Sequence, residues 1–358
     1  MRFILTTCGL SIFTNYQPMK ALNIYQYANK KKEEIDVDFL LSFEKLYTEL
    51  GRKFSHYSLQ ESQKASAELN TLFCFYKDGI AKNDYHKILH TDTYLGKSSA
   101  KLLESYLKKH NMQIELFSPK DLQTSSEESL HIALSDLVKD LSVELLDYKE
   151  AGYEVVFNLT GGFKSINSFL QTMASLYADK SIYIFENGEE LLTIPQLPIK
   201  IDDDIVVKNI DIFRKLDLEL EQTGKAIDAL PKSLVIKIDG IYTLSAWGEV
   251  IWQKLKRDIY SKEFLGSPFM QVQISKEFEK AAKKLQPNRL YEINQKIDEL
   301  IIHKKYGRNL ASLNFKELNG KPKDKSTHEF YINSDEAKRG YCHFEKNRLV
   351  LDEYGKHL

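Results

Sequence analysis

Two groups of residues in this 358-residue chain have the types and spacing to do chemistry. The first is a polar, glycine-rich corner, Asn158-Leu159-Thr160-Gly161-Gly162, followed at once by Phe163, Lys164 and Ser165. The apolar run Val155-Val156-Phe157 precedes it, and apolar residues recur afterwards at helical spacing through Ile166, Phe169, Leu170, Met173, Leu176 and Tyr177. A strand, a tight turn and a helix in this order aim free N–H groups and a positive dipole end at the corner. The glycines let main chain approach a ligand closely. Anion binding is the chemistry expected there, with Asn158, Thr160, Lys164 and Ser165 adding amide, hydroxyl and charge. The spacing fits neither GxxxxGK[ST] nor GxGxxG, so a Walker ATPase is not indicated. A turn that serves only the fold accounts for this stretch, taken alone, equally well.

The second group is basic and C-terminal: His328, Lys338, Arg339, His343, Lys356 and His357, on or beside the last strand candidates. Residues 267–358 hold 18 Lys and Arg against 13 Asp and Glu, a balance of +5 that leaves −6 for the first 266. A basic module beside an acidic remainder suggests contact with phosphates. The plain alternatives are a solvated strand edge for Lys338 and Arg339, a frayed tail for Lys356 and His357, and a core filler for Cys342.

The elements that must position these groups follow from periodicity. Phe3-Ile4-Leu5 reads as a first strand ending at Thr6-Thr7-Cys8-Gly9, which puts Gly9, Ser11, Thr14 and Asn15 in the crevice beyond the carboxyl ends of the strands. Helices are expected over 37–54 and 62–76. Ile88-Leu89 then leads into His90-Thr91-Asp92-Thr93 and a helix from Lys97. A strand over 114–117 and a long amphipathic helix through Leu130 to Leu145, closed by Gly152, come before the central strand. Asn187-Gly188 between Ser181–Phe185 and Leu191–Ile194 signals a closing hairpin. Residues 1–200 therefore read as a doubly wound, Rossmann-like α/β domain.

Residues 201–266 read as a mainly helical connector, with helices in Ile212–Leu220 and Trp247–Ile259 and a hairpin in Leu234–Tyr242. Residues 267–358 read as a small α+β unit of order βααβββ. Its strands are Phe269–Ile274, His328–Ile332, Gly340–Glu345 and Arg348–Asp352, and its helices are one capped by Ser275 and one over Leu290–His303. Cys8, Cys74 and Cys342 are too few and too scattered for a disulfide framework or a zinc site, and no metal is expected. No secretory cleavage pattern follows Arg2, and no span reaches the roughly 20 apolar residues of a membrane helix. The expectation is a soluble, cytoplasmic protein.

The first domain resembles the CRISPR-associated Rossmann-fold (CARF) sensors. The resemblance rests on Thr6-Thr7-Cys8-Gly9 with Ser11 at one strand end, on Asn158-Leu159-Thr160-Gly161-Gly162-Phe163-Lys164-Ser165 at another, and on His90-Thr91-Asp92-Thr93 to Gly96. It implies a homodimer whose paired crevices bind a cyclic oligoadenylate, the messenger of type III CRISPR antiviral defence. A ring of four adenylates is the commoner activator in that group. Implied ligand-binding residues are Gly9, Ser11, Thr14, Asn15, Thr91, Asn158, Thr160, Gly161, Gly162, Lys164 and Ser165. No cofactor is implied.

Residues 269–358 are similar to the RelE/ParE toxin superfamily. That similarity is carried by Ile274-Ser275-Lys276 through Leu285, by Lys316-Glu317-Leu318-Asn319-Gly320, by Phe330-Tyr331-Ile332, by Lys338 through His343 and by Tyr354-Gly355-Lys356-His357. The HEPN ribonuclease spacing R-x4-H of other CARF proteins is lacking. The superfamily's ribonucleases cut mRNA in the ribosomal A site without a metal. Carried over residue by residue, this gives Arg339 charge stabilisation and Lys356 and His357 general acid or base work, with His328 and Lys338 as secondary candidates. Glu329, Asp335 and Glu336 stand where many relatives are basic, which keeps open a non-nucleolytic, ParE-like action. The competing expectation is a ligand-responsive regulator that binds nucleic acid or the ribosome without cutting RNA.

Overall fold

The computed structural model describes the chain apart from residues 78–82, 185–189, 221–223, 319–323, 334–337 and 357–358, and gives the main chain alone of Lys356. It is a mixed α/β protein of two compact units, Met1–Lys200 and Ile201–Leu358.

In the first unit β1 (Arg2–Thr7) leads through α1 (Ser11–Thr14) and short 3-10 turns to α2 (Val37–Phe54), α3 (Leu59–Ala65) and α4 (Ala67–Phe75). Then follow β2 (Tyr85–Leu89), α5 (Tyr94–Lys109), β3 (Gln113–Phe117), α6 (Glu127–Glu150), β4 (Glu154–Asn158), α7 (Lys164–Tyr177), β5 (Lys180–Ile184) and β6 (Leu191–Pro195). The sheet order is β3-β2-β1-β4-β5-β6, parallel except for the last pair. Strand order runs outward both ways from β1 and β4, so the topological switch point lies between them. Phe3, Ile4 and Leu5 on β1 and Val155, Val156 and Phe157 on β4 are fully buried, the continuous apolar run expected of strands covered on both faces.

One expected helix is divided. Instead of a single element over 62–76, Ser66 leaves helical geometry at φ −137° and caps α4, its Oγ accepting from the Leu69 N–H. A serine serves a helix better as an N-cap than as an interior residue. The Asn187-Gly188 turn lies outside the described residues, and the strands on either side of it pair antiparallel.

The second unit contains α8 (Asp204–Lys208), α9 (Ile210–Asp217), α10 (Gly224–Ile227), the hairpin β7 (Val235–Ile238) and β8 (Ile241–Leu244), and α11 (Ala246–Lys262). It continues with β9 (Val272–Ile274), α12 (Lys276–Ala282), α13 (Pro287–Tyr306), β10 (Lys316–Glu317), β11 (His328–Tyr331), β12 (Lys338–Glu345) and β13 (Arg348–Lys356). These last strands form a sheet of order β10-β11-β12-β13-β9, with β9 parallel to β13.

The first strand here is shorter than the alternation over 269–274 suggests, β10 is an additional strand, and β13 runs on to Lys356 rather than ending at Asp352. Helix α11 packs along α13, so the stretch read as a connector and the C-terminal stretch share one compact body. The Arg214 side chain, fully buried, donates from Nη2 to Asp298 at 2.7 Å, and the Tyr260 hydroxyl donates to the same carboxylate.

Candidate functional site

The loops after β1 and β4 meet at the switch point and line a cavity of about 600 Å³. Gly9, Ser11, Thr14, Asn15, Thr160, Gly161 and Gly162 all face it. The loops are tied together from below. Thr7 Oγ1 donates to the Gly161 carbonyl at 2.7 Å, and Asn167 Nδ2 donates to the carbonyls of Gly161 at 2.7 Å and Leu159 at 3.0 Å. The Thr160 and Thr71 hydroxyls share a hydrogen bond of 2.6 Å. Gly162 has φ +91°, which favours glycine, and no side chain caps α7. The first N–H groups of α7 have no intrahelical partners, as at any helix start, and none is met by a capping side chain; the helix follows directly on Gly162 and Phe163 of the lining.

Four expected ligand residues sit elsewhere. Asn158 is fully buried behind the loop, its Nδ2 donating to the Glu68 carbonyl at 3.1 Å. Thr91 is buried against Gly96 at the start of α5, its hydroxyl bonded to that of Thr93 at 2.9 Å. Lys164 and Ser165 are exposed on the first turn of α7 and are not part of the cavity lining.

Sequence reasoning missed the residue at the bottom of the cavity. Glu68, on the first turn of α4, is 1 % exposed. Its Oε1 accepts the Gly9 N–H at 2.7 Å, and its Oε2 accepts the Ser11 and Ser66 hydroxyls at 2.7 and 2.6 Å. A Cβ on Gly161 would lie 2.0 Å from Oε1, so any side chain there would displace the Glu68 carboxylate from its three hydrogen bonds. Burial, and then the Glu68 charge, push the Cys8 thiol well above its usual range, so Cys8 stays protonated despite its place in the loop. The one signal for Glu68 in the sequence is Ser66 two residues earlier, a helix cap that reads as structure.

In the second unit Arg339 on β12 is 8 % exposed. Its guanidinium lies 3.7 Å from the centre of the Tyr331 ring, Nη1 donates to the Lys338 carbonyl at 3.1 Å, and Nε has no partner among the described residues. The pairing register sets Tyr331 opposite Arg339 and Lys338 opposite Lys356, which brings these positions to one end of the sheet. His328 is not among them: it sits opposite Cys342, three residues along β11 from Tyr331, or about 10 Å at the usual strand rise. Its ring stacks on Phe315, and burial holds its pKa below the ordinary histidine value.

His357 lies outside the described residues, as do Asp335 and Glu336. Glu329 is buried with Lys316 3.2 Å away, and Lys316 in turn lies over Tyr331. Where β12 meets β13, Asp352 is an extra residue between the paired positions Glu353 and Leu351, forming a bulge beside Tyr341 and Cys342. Asp352 Oδ2 accepts from Ser326 and binds Nδ1 of His343, each at 2.8 Å. Among the described residues one acidic cluster, Asp202, Asp203 and Asp204, brings ligand atoms within 4.8 Å of one another. No described helix is long and apolar enough to cross a membrane.

The fold defines the first unit as a doubly wound α/β domain with an open crevice at its switch point. Within it, residues 63–197 match the model of a family described as CRISPR-associated protein (Cas_APE2256), which supports a CRISPR-associated protein. The matched stretch includes Glu68 and the Thr160–Gly162 loop and stops short of the second unit. No curated protein matches the chain.

Proposed function

We propose that the first unit is a CARF sensor that binds cyclic oligoadenylate, a ring of four adenylates first, in a homodimer. In this reading ligand binding activates a RelE-type endoribonuclease in the second unit, and that unit cuts ribosome-bound mRNA without a metal during type III CRISPR defence. The observation that carries the reading is the cavity between the β1 and β4 loops, beside the uncapped start of α7, inside a stretch that matches a CRISPR-associated family. A phosphate ring suits glycine-lined helix starts, and a symmetric ligand suits an isologous dimer.

In the cleavage step the ribose 2′-oxygen bonds to the adjacent phosphorus and the bond to the 5′-oxygen breaks. One basic group takes the 2′-proton and another supplies a proton to the leaving oxygen. Arg339 is assigned to the extra charge on phosphorus, Lys356 and His357 to the proton transfers, and Lys338 to support. His328, held toward its neutral form yet about 10 Å along the sheet from the Arg339 position, is assigned no step in this reading. Ligand acts only through its differential affinity for the active state.

The test is to add the protein and cyclic tetra-adenylate to translating ribosomes and to map mRNA ends. Cuts that depend on ligand, and that disappear in Arg339→Ala while ring affinity is retained, are the expected result. No ligand-dependent cuts with rings of four or six would overturn the nuclease reading. A second reading, a regulator that docks without cutting, is favoured by the burial of Arg339, 8 % exposed, which leaves its guanidinium little surface to offer a phosphate. Unchanged function in Arg339→Ala supports it.

A further inference from the structure

We propose that Glu68 accepts a hydrogen bond from a ribose 2′-hydroxyl of the bound ring and so selects a ribonucleotide ligand over its deoxy counterpart; this rests on the cyclic-oligoadenylate reading above. A buried carboxylate repels phosphate, yet Glu68 sits at the bottom of the cavity. The donors at the end of β1 that otherwise suit a phosphate, the Gly9 N–H and the Ser11 hydroxyl, are already committed to it at 2.7 Å each. Phosphate contacts are thereby left to the start of α7, where no side chain caps the helix. Whatever ligand group meets Glu68 must be a donor.

An ionised carboxylate offers about four acceptor positions. Ser11 and Ser66 fill those of Oε2, whereas among the described residues Oε1 holds the Gly9 N–H alone. Oε1 also lies against the Cα of Gly161, in the same loop that opens α7. In an RNA ring the donor vicinal to each 3′-phosphate is the 2′-hydroxyl, while the adenine amino group lies at the far edge of the base. A phosphate held at the start of α7 therefore brings the 2′-hydroxyl toward Gly161 and Oε1. Acidic side chains in other doubly wound sites take ribose hydroxyls in the same way.

The test is calorimetric binding of the full chain and of Glu68→Gln to three rings: cyclic tetra-adenylate, its all-2′-deoxy form, and a purine ring lacking the adenine amino group. The wild type is expected to prefer the ribose ring by about 100- to 10,000-fold, because the two Glu68 side chains of a dimer lose one charge-assisted bond each, at about 10- to 100-fold per bond. In Glu68→Gln that preference falls to a few-fold, while the deoxy ring binds as well as before or better because a repelling charge is gone. Equal wild-type affinity for ribose and deoxy rings overturns the proposal, and so does a Glu68→Gln variant that tightens both equally. A loss confined to the ring without the amino group, abolished in Glu68→Gln, assigns the carboxylate to the base and also overturns it. Failure of the wild type to bind any ring instead removes the sensor reading itself. Melting curves establish that Glu68→Gln is folded, and the wild-type ratio decides if it is not.

Discussion

Single side chains in this protein are most informative where burial and charge conflict. His86 on β2 is 1 % exposed, and burial pushes its pKa down to about 4 against the opposing charge of Asp84. Between about pH 6.5 and 4 the unfolded chain binds a proton that the folded chain refuses. The stability contributed by neutral His86 is thus complete above that window and falls as the pH drops through it, by about 3 kcal/mol in total. Denaturant unfolding at stepped pH should show this fall in the wild type and a flatter profile in His86→Phe; parallel profiles would refute it. Nothing in the sequence marks His86, because its burial comes from tertiary packing, which sets the Tyr76 hydroxyl, from outside its strand, 3.2 Å from its Nε2. Glu68 was illegible for the same reason, being 59 positions from the Gly9 N–H that it holds. Gly161 and Gly162 were legible because a strand–turn–helix corner is written in consecutive residues.

Elements were readable wherever apolar spacing persisted, as in α2 and α6, and less so where a polar residue decided the boundary, as Ser66 does between α3 and α4. The association of α9, α11 and α13 was not readable at all, since it depends on Arg214 meeting Asp298 across 84 positions. Removing one member of a buried pair leaves the other charged and unpaired. Asp298→Ala should therefore destabilise the second unit by about 3 to 5 kcal/mol, read as a lowered denaturant midpoint. Arg214→Met combined with Asp298→Leu and Tyr260→Phe should recover most of that loss, because the Tyr260 hydroxyl also depends on Asp298 and three apolar side chains need no partner. A triple variant no better than Asp298→Ala would show that the loss does not come from groups left unpaired.

At the scale of the whole molecule, the proposed function requires two chains around one ring. Light scattering should give twice the 41.5 kDa chain mass, and titration with cyclic tetra-adenylate should saturate at one ring per two chains. A monomer that binds one ring per chain would contradict this arrangement. A division near residue 200 is marked in the residues by Pro195 and Pro198, whereas the packing of α11 along α13, which the reading of 201–266 as a separate connector does not foresee, is not. The arrangement of basic residues in the second unit was less visible, because they are distributed over several strands and their neighbours are set by pairing register.

The bulge at Asp352 gives the end of β13 a tolerance of a specific kind. The pairs on either side of it, Leu351 with Cys342 and Glu353 with Tyr341, are those of a regular ladder from which one residue has been looped out. Paired positions share a sheet face, so Glu353 and Tyr354 keep their sides through Tyr341 and Gly340 whether or not Asp352 is there. An in-frame loss of that single codon would close the ladder and leave Tyr354 against the core of its unit, while removing the carboxylate that holds Ser326 and His343. A gene carrying such a deletion would encode an intact sheet and a dismantled polar cluster.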